Sequence, residues 1–180
     1  MSIPFRDLRE EAPKGLVGYL RFIDEDGGRG LRGALFLVNS RGEPMDFSFA
    51  RVDIHASFLW RPGESRRQAV AALSRTLFTA ATHAPRLLVA LAEEVPAGLF
   101  TDDLEVAVPL CRLAGPSALA YGAGESMEEL PGAQHVFWVG RPPEAESDAR
   151  TLVDAFVARQ ALAEPFERVA LGLQEAYAST

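Results

Sequence analysis

Five acidic residues stand where they could do chemistry. Asp24, Glu25 and Asp26 close one apolar run, and Glu93 and Glu94 close another. Two-metal phosphodiester chemistry needs several carboxylates within about 4 Å of a cation pair, to hold both ions and to stabilise the attacking and leaving oxygens. On that reading Asp24, Asp26 and Glu93 are ligands for Mg or Mn, and Glu64 and Glu94 complete the catalytic set. The plainer reading makes Asp24–Asp26 a solvated corner between two strands, because Gly27 and Gly28 follow at once.

Other constellations offer less. "DEDGG" has oxygen ligands but lacks the spaced acids and the terminal Glu of a calcium loop. "GGRGLRG" and "GAGES" lack the Lys-Ser/Thr ending of a phosphate loop, and turn duty accounts for both. Cys111 is the only cysteine, which excludes an internal disulfide and a multi-cysteine zinc site. A Cys111–His135 dyad is conceivable, but a lone cysteine is more often a small buried apolar residue. His55 and His83 flank element ends and read as surface residues. No serine lies in a nucleophile-elbow pattern.

The elements that must position these groups follow from periodicity. Gly18 to Asp24, Ala34 to Val38 and Met45 to Ile54 read as strands joined by turn-rich connections, which predicts an antiparallel three-strand meander. Ala34 to Val38 is continuously apolar, as in a strand covered on both faces. Val70, Leu73, Leu77, Ala80 and Ala81 fall on one side of a helix that Pro85 stops. "RLLVALA" reads as a buried strand, "VPAGLF" as a helical turn, and Leu104 to Cys111 as a further strand. A long loop is expected over 113–134, with a short helix at Ser126–Leu130, then a strand "HVFWVG" and two C-terminal helices divided by Pro165. The fold class is α+β, a mixed sheet with helices on its faces. Residues 1–15 read as a tail and 16–180 as one domain.

A meander, a long helix and a buried strand in succession resemble the opening of ribonuclease-H-like domains. The resemblance is one of element order, and no family motif accompanies it. In that architecture the acids come from the first strand, the body of the first long helix and the end of the next strand. This helix has no Asp or Glu between Arg66 and Pro85; its charges are Arg66, Arg67 and Arg75. Glu64 at its start is explained by the helix dipole.

Composition bounds the rest. A chain of 180 residues, 48% hydrophobic and 24% charged, suits one globular domain with a substantial core. The start carries acids and no apolar segment, so a secretory signal is not expected, and no run approaches a membrane span. A cytoplasmic protein with no membrane partner is expected. Residues 1–90 hold 13 Lys+Arg against 10 Asp+Glu, and residues 91–180 hold 5 against 15. The acidic half argues against nucleic acid as a partner, apart from local contact through the first half. "HASFLWRPGES" packs Phe58, Leu59, Trp60 and Arg61 into a connection, which either closes over the core or forms an anchor for a protein partner. Tyr121 and Met127 are the larger residues of the second candidate surface.

The leading expectation is therefore a non-enzymatic interaction or accessory subunit of a protein assembly, self-associating or bound to another protein, with no cofactor. The alternative is a divalent-metal-dependent nuclease or phosphoesterase built on the carboxylates above. A small-molecule sensor with a pocket under the long loop is a third reading, supported by the loop alone.

Overall fold

The computed structural model describes residues 15–55, 59–61, 63–115, 121–132 and 134–178, with only the backbone of Asp26. The chain opens on strand β1 (Val17–Asp24), turns through a single 3-10 turn at Asp26–Gly28, and returns as β2 (Gly30–Val38) and then β3 (Pro44–Asp53). The pairs are antiparallel, with Tyr19 opposite Phe36 and Phe36 opposite Phe47, so the expected meander is present. β1 and β2 are buried on both faces almost throughout, as the unbroken apolar run of β2 implies. β3 is half exposed and forms one edge of the sheet.

Helix α1 (Glu64–Ala80) then crosses the sheet, so that β4 (Leu87–Leu91) lies parallel to β1 and β5 (Leu110–Leu113) parallel to β4. β7 (Gln134–Val139) joins β5 in antiparallel fashion, and β6 (Glu125–Leu130) closes the far edge. The order of the seven strands is β3-β2-β1-β4-β5-β7-β6. Helix α1 covers one face through Val70, Leu73 and Leu77. Helices α2 (Asp148–Ala158) and α3 (Glu164–Ala178) cover the other through Leu152, Phe156, Phe166, Val169 and Leu173. The fold is a mixed α+β sheet between helical layers, with the two C-terminal helices in place and the ribonuclease-H-like element order along the chain.

Three local expectations are corrected. Ser126–Leu130 is part of β6 and not a helix, although Met127, Glu128, Glu129 and Leu130 are all good helix formers. The open edge of β7 claims this backbone, with Met127 opposite Phe137, and tertiary pairing overrides local propensity. The strand expected over Leu104–Cys111 begins only at Leu110. The turn expected at "VPAGLF" ends in a short π-helical stretch at Leu99–Asp103.

Candidate functional site

β1, β4 and β5 run parallel, so their carboxyl ends share one edge of the sheet. Strand order reverses between β1 and β4, because the chain builds outward to β3 and then returns on the other side of β1. Open sheets of this kind receive ligands outside the carboxyl ends of their strands at such a reversal. Asp24 ends β1 there, and the turn carrying Glu93 and Glu94 follows β4.

The ladder between β1 and β4 ends at Leu20 opposite Ala90. Beyond it the Phe22 N–H donates to Glu94 Oε2 at 2.8 Å. A side-chain carboxylate thus stands in for the next strand carbonyl as the two strands part. Glu94 Oε1 accepts from Arg21 Nε at 2.6 Å, and Arg21 Nη1 donates onward to the Phe166 carbonyl of α3 at 2.9 Å. Burial pushes the Glu94 carboxyl above its ordinary range, against the downward pull of the Phe22 N–H and the Arg21 guanidinium.

Arg66, in the first turns of α1, closes the corner. Its Nε lies 3.0 Å from each Asp24 oxygen, and its Nη1 donates to the Glu94 carbonyl at 2.7 Å. One guanidinium therefore ties the end of β1 to the turn after β4. The next residue, Arg67, holds Asp103 at 2.6 Å and the Ala97 carbonyl at 3.1 Å.

The acids proposed from sequence meet different fates. Asp24 is at the edge, exposed and paired with Arg66. Glu93 is exposed beside Gly115, and Glu94 is buried with both oxygens engaged. Glu64 accepts from Gln68 one helical turn on, a local contact at the start of α1. The Asp26 side chain lies outside the described residues. Glu25 turns away to β2 and β3, where Arg32 and Arg51 each reach it at 2.8 Å. Among the described residues no three His, Cys, Asp or Glu side chains gather to hold a metal ion. A divalent pair needs carboxylate oxygens free to converge. Here the oxygens of Asp24 face one guanidinium, and those of Glu94 are taken by a guanidinium and an amide. The described donors do not fit a two-metal centre.

The remaining candidates are dispersed. Leu59 and Trp60 are exposed, 78% and 47%, so they do not close over the core; Arg61 beside them is exposed and Phe58 lies outside the described residues. Tyr121 stacks on Phe137 with half its surface open, and Met127 is exposed on the outer strand β6, far along the strand order from β1. Cys111 is buried opposite Trp138, and burial pushes its thiol up to about 12, so it is a core residue. His135 faces Glu129 at 4.0 Å instead. Arg21 and Arg66, which organise the corner, were not singled out by sequence reasoning. The available signal was position: an arginine inside an apolar strand, and another in the first turns of a helix that has no acid after Glu64.

No protein-family model and no curated protein sequence matches the chain. Among solved structures, the endonuclease V of Streptomyces avermitilis matches with a TM-score of 0.55 at 15% identity, covering 91% of this chain and 83% of that one. The Bacillus subtilis endonuclease V matches at a TM-score of 0.43 and 9% identity, covering 75% of this chain and 68% of that one. The first match shows that this chain has the mixed α+β fold of a nuclease. It also overturns two expectations from the sequence. The chain is not to be read as a non-enzymatic accessory subunit of a protein assembly, and nucleic acid is not a disfavoured partner. The charge count misled because it averaged over the chain. At the corner itself Arg21, Arg66 and Arg67 stand against Glu94, Asp24 and Asp103, a local balance that a count over half the chain does not report.

Among the described residues no helix is long and apolar enough to cross a membrane.

Proposed function

We propose that this chain acts on nucleic acid, receiving the phosphodiester backbone along the edge where β1 and β4 end and α1 begins. The observation that carries the reading is the corner at the strand-order reversal, where Arg66 spans Asp24 and the Glu94 carbonyl. Arg66 and Arg67 stand side by side at the start of α1, and guanidinium forks match phosphate oxygens in pairs. Exposed Leu59, Trp60 and Arg61 shortly precede the same helix. An aromatic face beside guanidinium groups is the surface on which unpaired bases stack. A cytoplasmic setting belongs to the same proposal, and cell fractionation checks it.

Cleavage of the bound strand is a second reading. The Streptomyces protein that shares this fold is an endonuclease, and Asp24 and Glu93 are exposed on the edge in question. Labelled single- and double-stranded DNA and RNA, followed by fluorescence anisotropy and then incubated with Mg or Mn, test both readings. Saturable binding that weakens when Arg66 and Trp60 are replaced supports the first. Products that disappear in a folded Asp24→Ala variant establish the second. Absence of binding to all four substrates at low salt overturns the proposal.

A further inference from the structure

A second group of arginines lines a cleft away from the corner, at the Val17 end of β1. It lies where the β2–β3 turn meets the end of α2 and the start of α3. The cleft has a volume of about 410 Å³ and is lined by Arg41, Gly42, Phe156, Arg159, Glu164 and Arg168, among others.

Its turn wall is pre-built. Asn39 is buried, and its Oδ1 accepts from the Arg41 and Glu43 amides at 2.9 and 3.0 Å. Gly42 takes the left-handed conformation that this turn requires, with φ of 82°.

The charge balance sets this cleft apart from the corner. There, Arg21, Arg66 and Arg67 each face a carboxylate. In the cleft Arg41 pairs with Glu43 and Arg168 with Glu164, but Arg159 meets two carbonyls and the Phe156 ring and, among the described residues, no carboxylate within ion-pair distance. Its Nε donates to Ala155 at 3.0 Å and its Nη2 to Ser40 at 2.6 Å. Carbonyls orient a guanidinium without neutralising it. Arg168 is held over Phe36 and donates through Nη1 to the Gly42 carbonyl, while its Nε is buried with no hydrogen-bond partner. The Tyr19 hydroxyl, wholly buried between Phe156 and Phe166, is also without a partner. The charged side chains that act on it include Glu164, Arg168 and Arg159, all of which line the cleft. Buried donors are almost always satisfied, so the orphaned Arg168 Nε, in a cleft that also holds the carboxylate-free Arg159, calls for an acceptor that carries negative charge.

We infer that this cleft is an anion site for a phosphate group, held by Arg159 and Arg168, with Glu164 as the resident carboxylate that such a group displaces. The chemistry is that of a tetrahedral oxyanion, supplied either as free phosphate or as a phosphate of a nucleic acid strand. The site is independent of the corner, since it shares no residue with it.

Calorimetric titration of the full chain with inorganic phosphate, and separately with a short oligonucleotide, tests the inference. Three variants accompany it: Arg159→Met, which keeps packing on Phe156, Glu164→Gln, and Arg75→Ala, an exposed arginine of α1, as a control. Saturable phosphate binding should weaken roughly tenfold or more in Arg159→Met and tighten in Glu164→Gln, because a competing carboxylate is gone. A purely structural Arg159 would not produce that opposite pair of shifts. Arg75→Ala should leave phosphate binding unchanged, since Arg75 lines neither the cleft nor the proposed strand-binding corner. If only the oligonucleotide responds to Arg159→Met, the phosphate is that of a strand; if only inorganic phosphate responds, it is the free anion. Binding of neither probe, or binding indifferent to Arg159→Met, overturns the inference without touching the corner.

Discussion

Arg112 and Glu125 meet in a two-pronged ion pair, Nε to Oε1 at 2.7 Å and Nη2 to Oε2 at 2.6 Å, with both side chains only 2% exposed. Arg112 sits in the middle of β5 and also donates to the Val95 carbonyl at 2.9 Å, while Glu125 accepts from the Gly122 amide. The pair thus fastens the start of β6 and the turn after β4 to the centre of the sheet. Removing one partner leaves a buried charge alone, at a cost of about 3–5 kcal/mol. Glu125→Ala should lose stability on that scale in urea denaturation. The double variant Arg112→Met, Glu125→Leu should recover most of the loss, since apolar replacement of a whole buried pair is often neutral.

At the β1–β4 corner the expected readout is salt dependence. A cation that touches phosphate contributes about one counterion to the slope of log affinity against log salt. Arg66→Ala should therefore lower that slope by about 1 and weaken all sequences alike. Anisotropy titrations at several salt concentrations check this. An unchanged slope with full affinity would place the strand elsewhere.

Acid should dissolve a different contact. The Arg51 hydrogen bond, opposed by partial burial and helped by Arg32, lowers the Glu25 carboxyl from its ordinary 4.5 to about 2. Because the folded value lies below the unfolded one, the contribution is complete above about 4.5 and is lost as pH falls through about 2. The stability difference between wild type and Glu25→Gln should be flat above about pH 5 and shrink steadily below it. Paired denaturation curves across that range measure it.

Cys111 should be silent to thiol reagents in the native protein. Its thiol is buried and pushed up to about 12, and only the thiolate is an effective nucleophile. A disulfide reagent at about pH 8 should find no free thiol until denaturant is added, and then one per chain. Rapid native labelling would contradict both the burial and the core role.

The meander, the α1 crossover and the terminal helices were legible because each buries a clean periodic face. β1 and β2 carry apolar runs, and α1 places Val70, Leu73 and Leu77 on one stripe. β6 was not legible, since helix-forming residues were recruited by a neighbouring edge that no local window contains. The corner was half legible. Asp24, Glu93 and Glu94 could be picked out as acids at strand ends, but their partners could not. Arg21 and Glu94 are 73 residues apart, and Arg66 lies 42 residues from Asp24. Such pairs exist only once the crossover has brought β4 beside β1.

The carboxylate that replaces a strand carbonyl at Phe22 gives this molecule a common tie point. Where β1 and β4 fork, Glu94 grips one prong, and Arg21 runs from Glu94 to the first turn of α3. Arg21 ties that fork to α3 on one side of the sheet and Arg66 ties it to α1 on the other, so both helical layers are anchored on one and the same residue, Glu94.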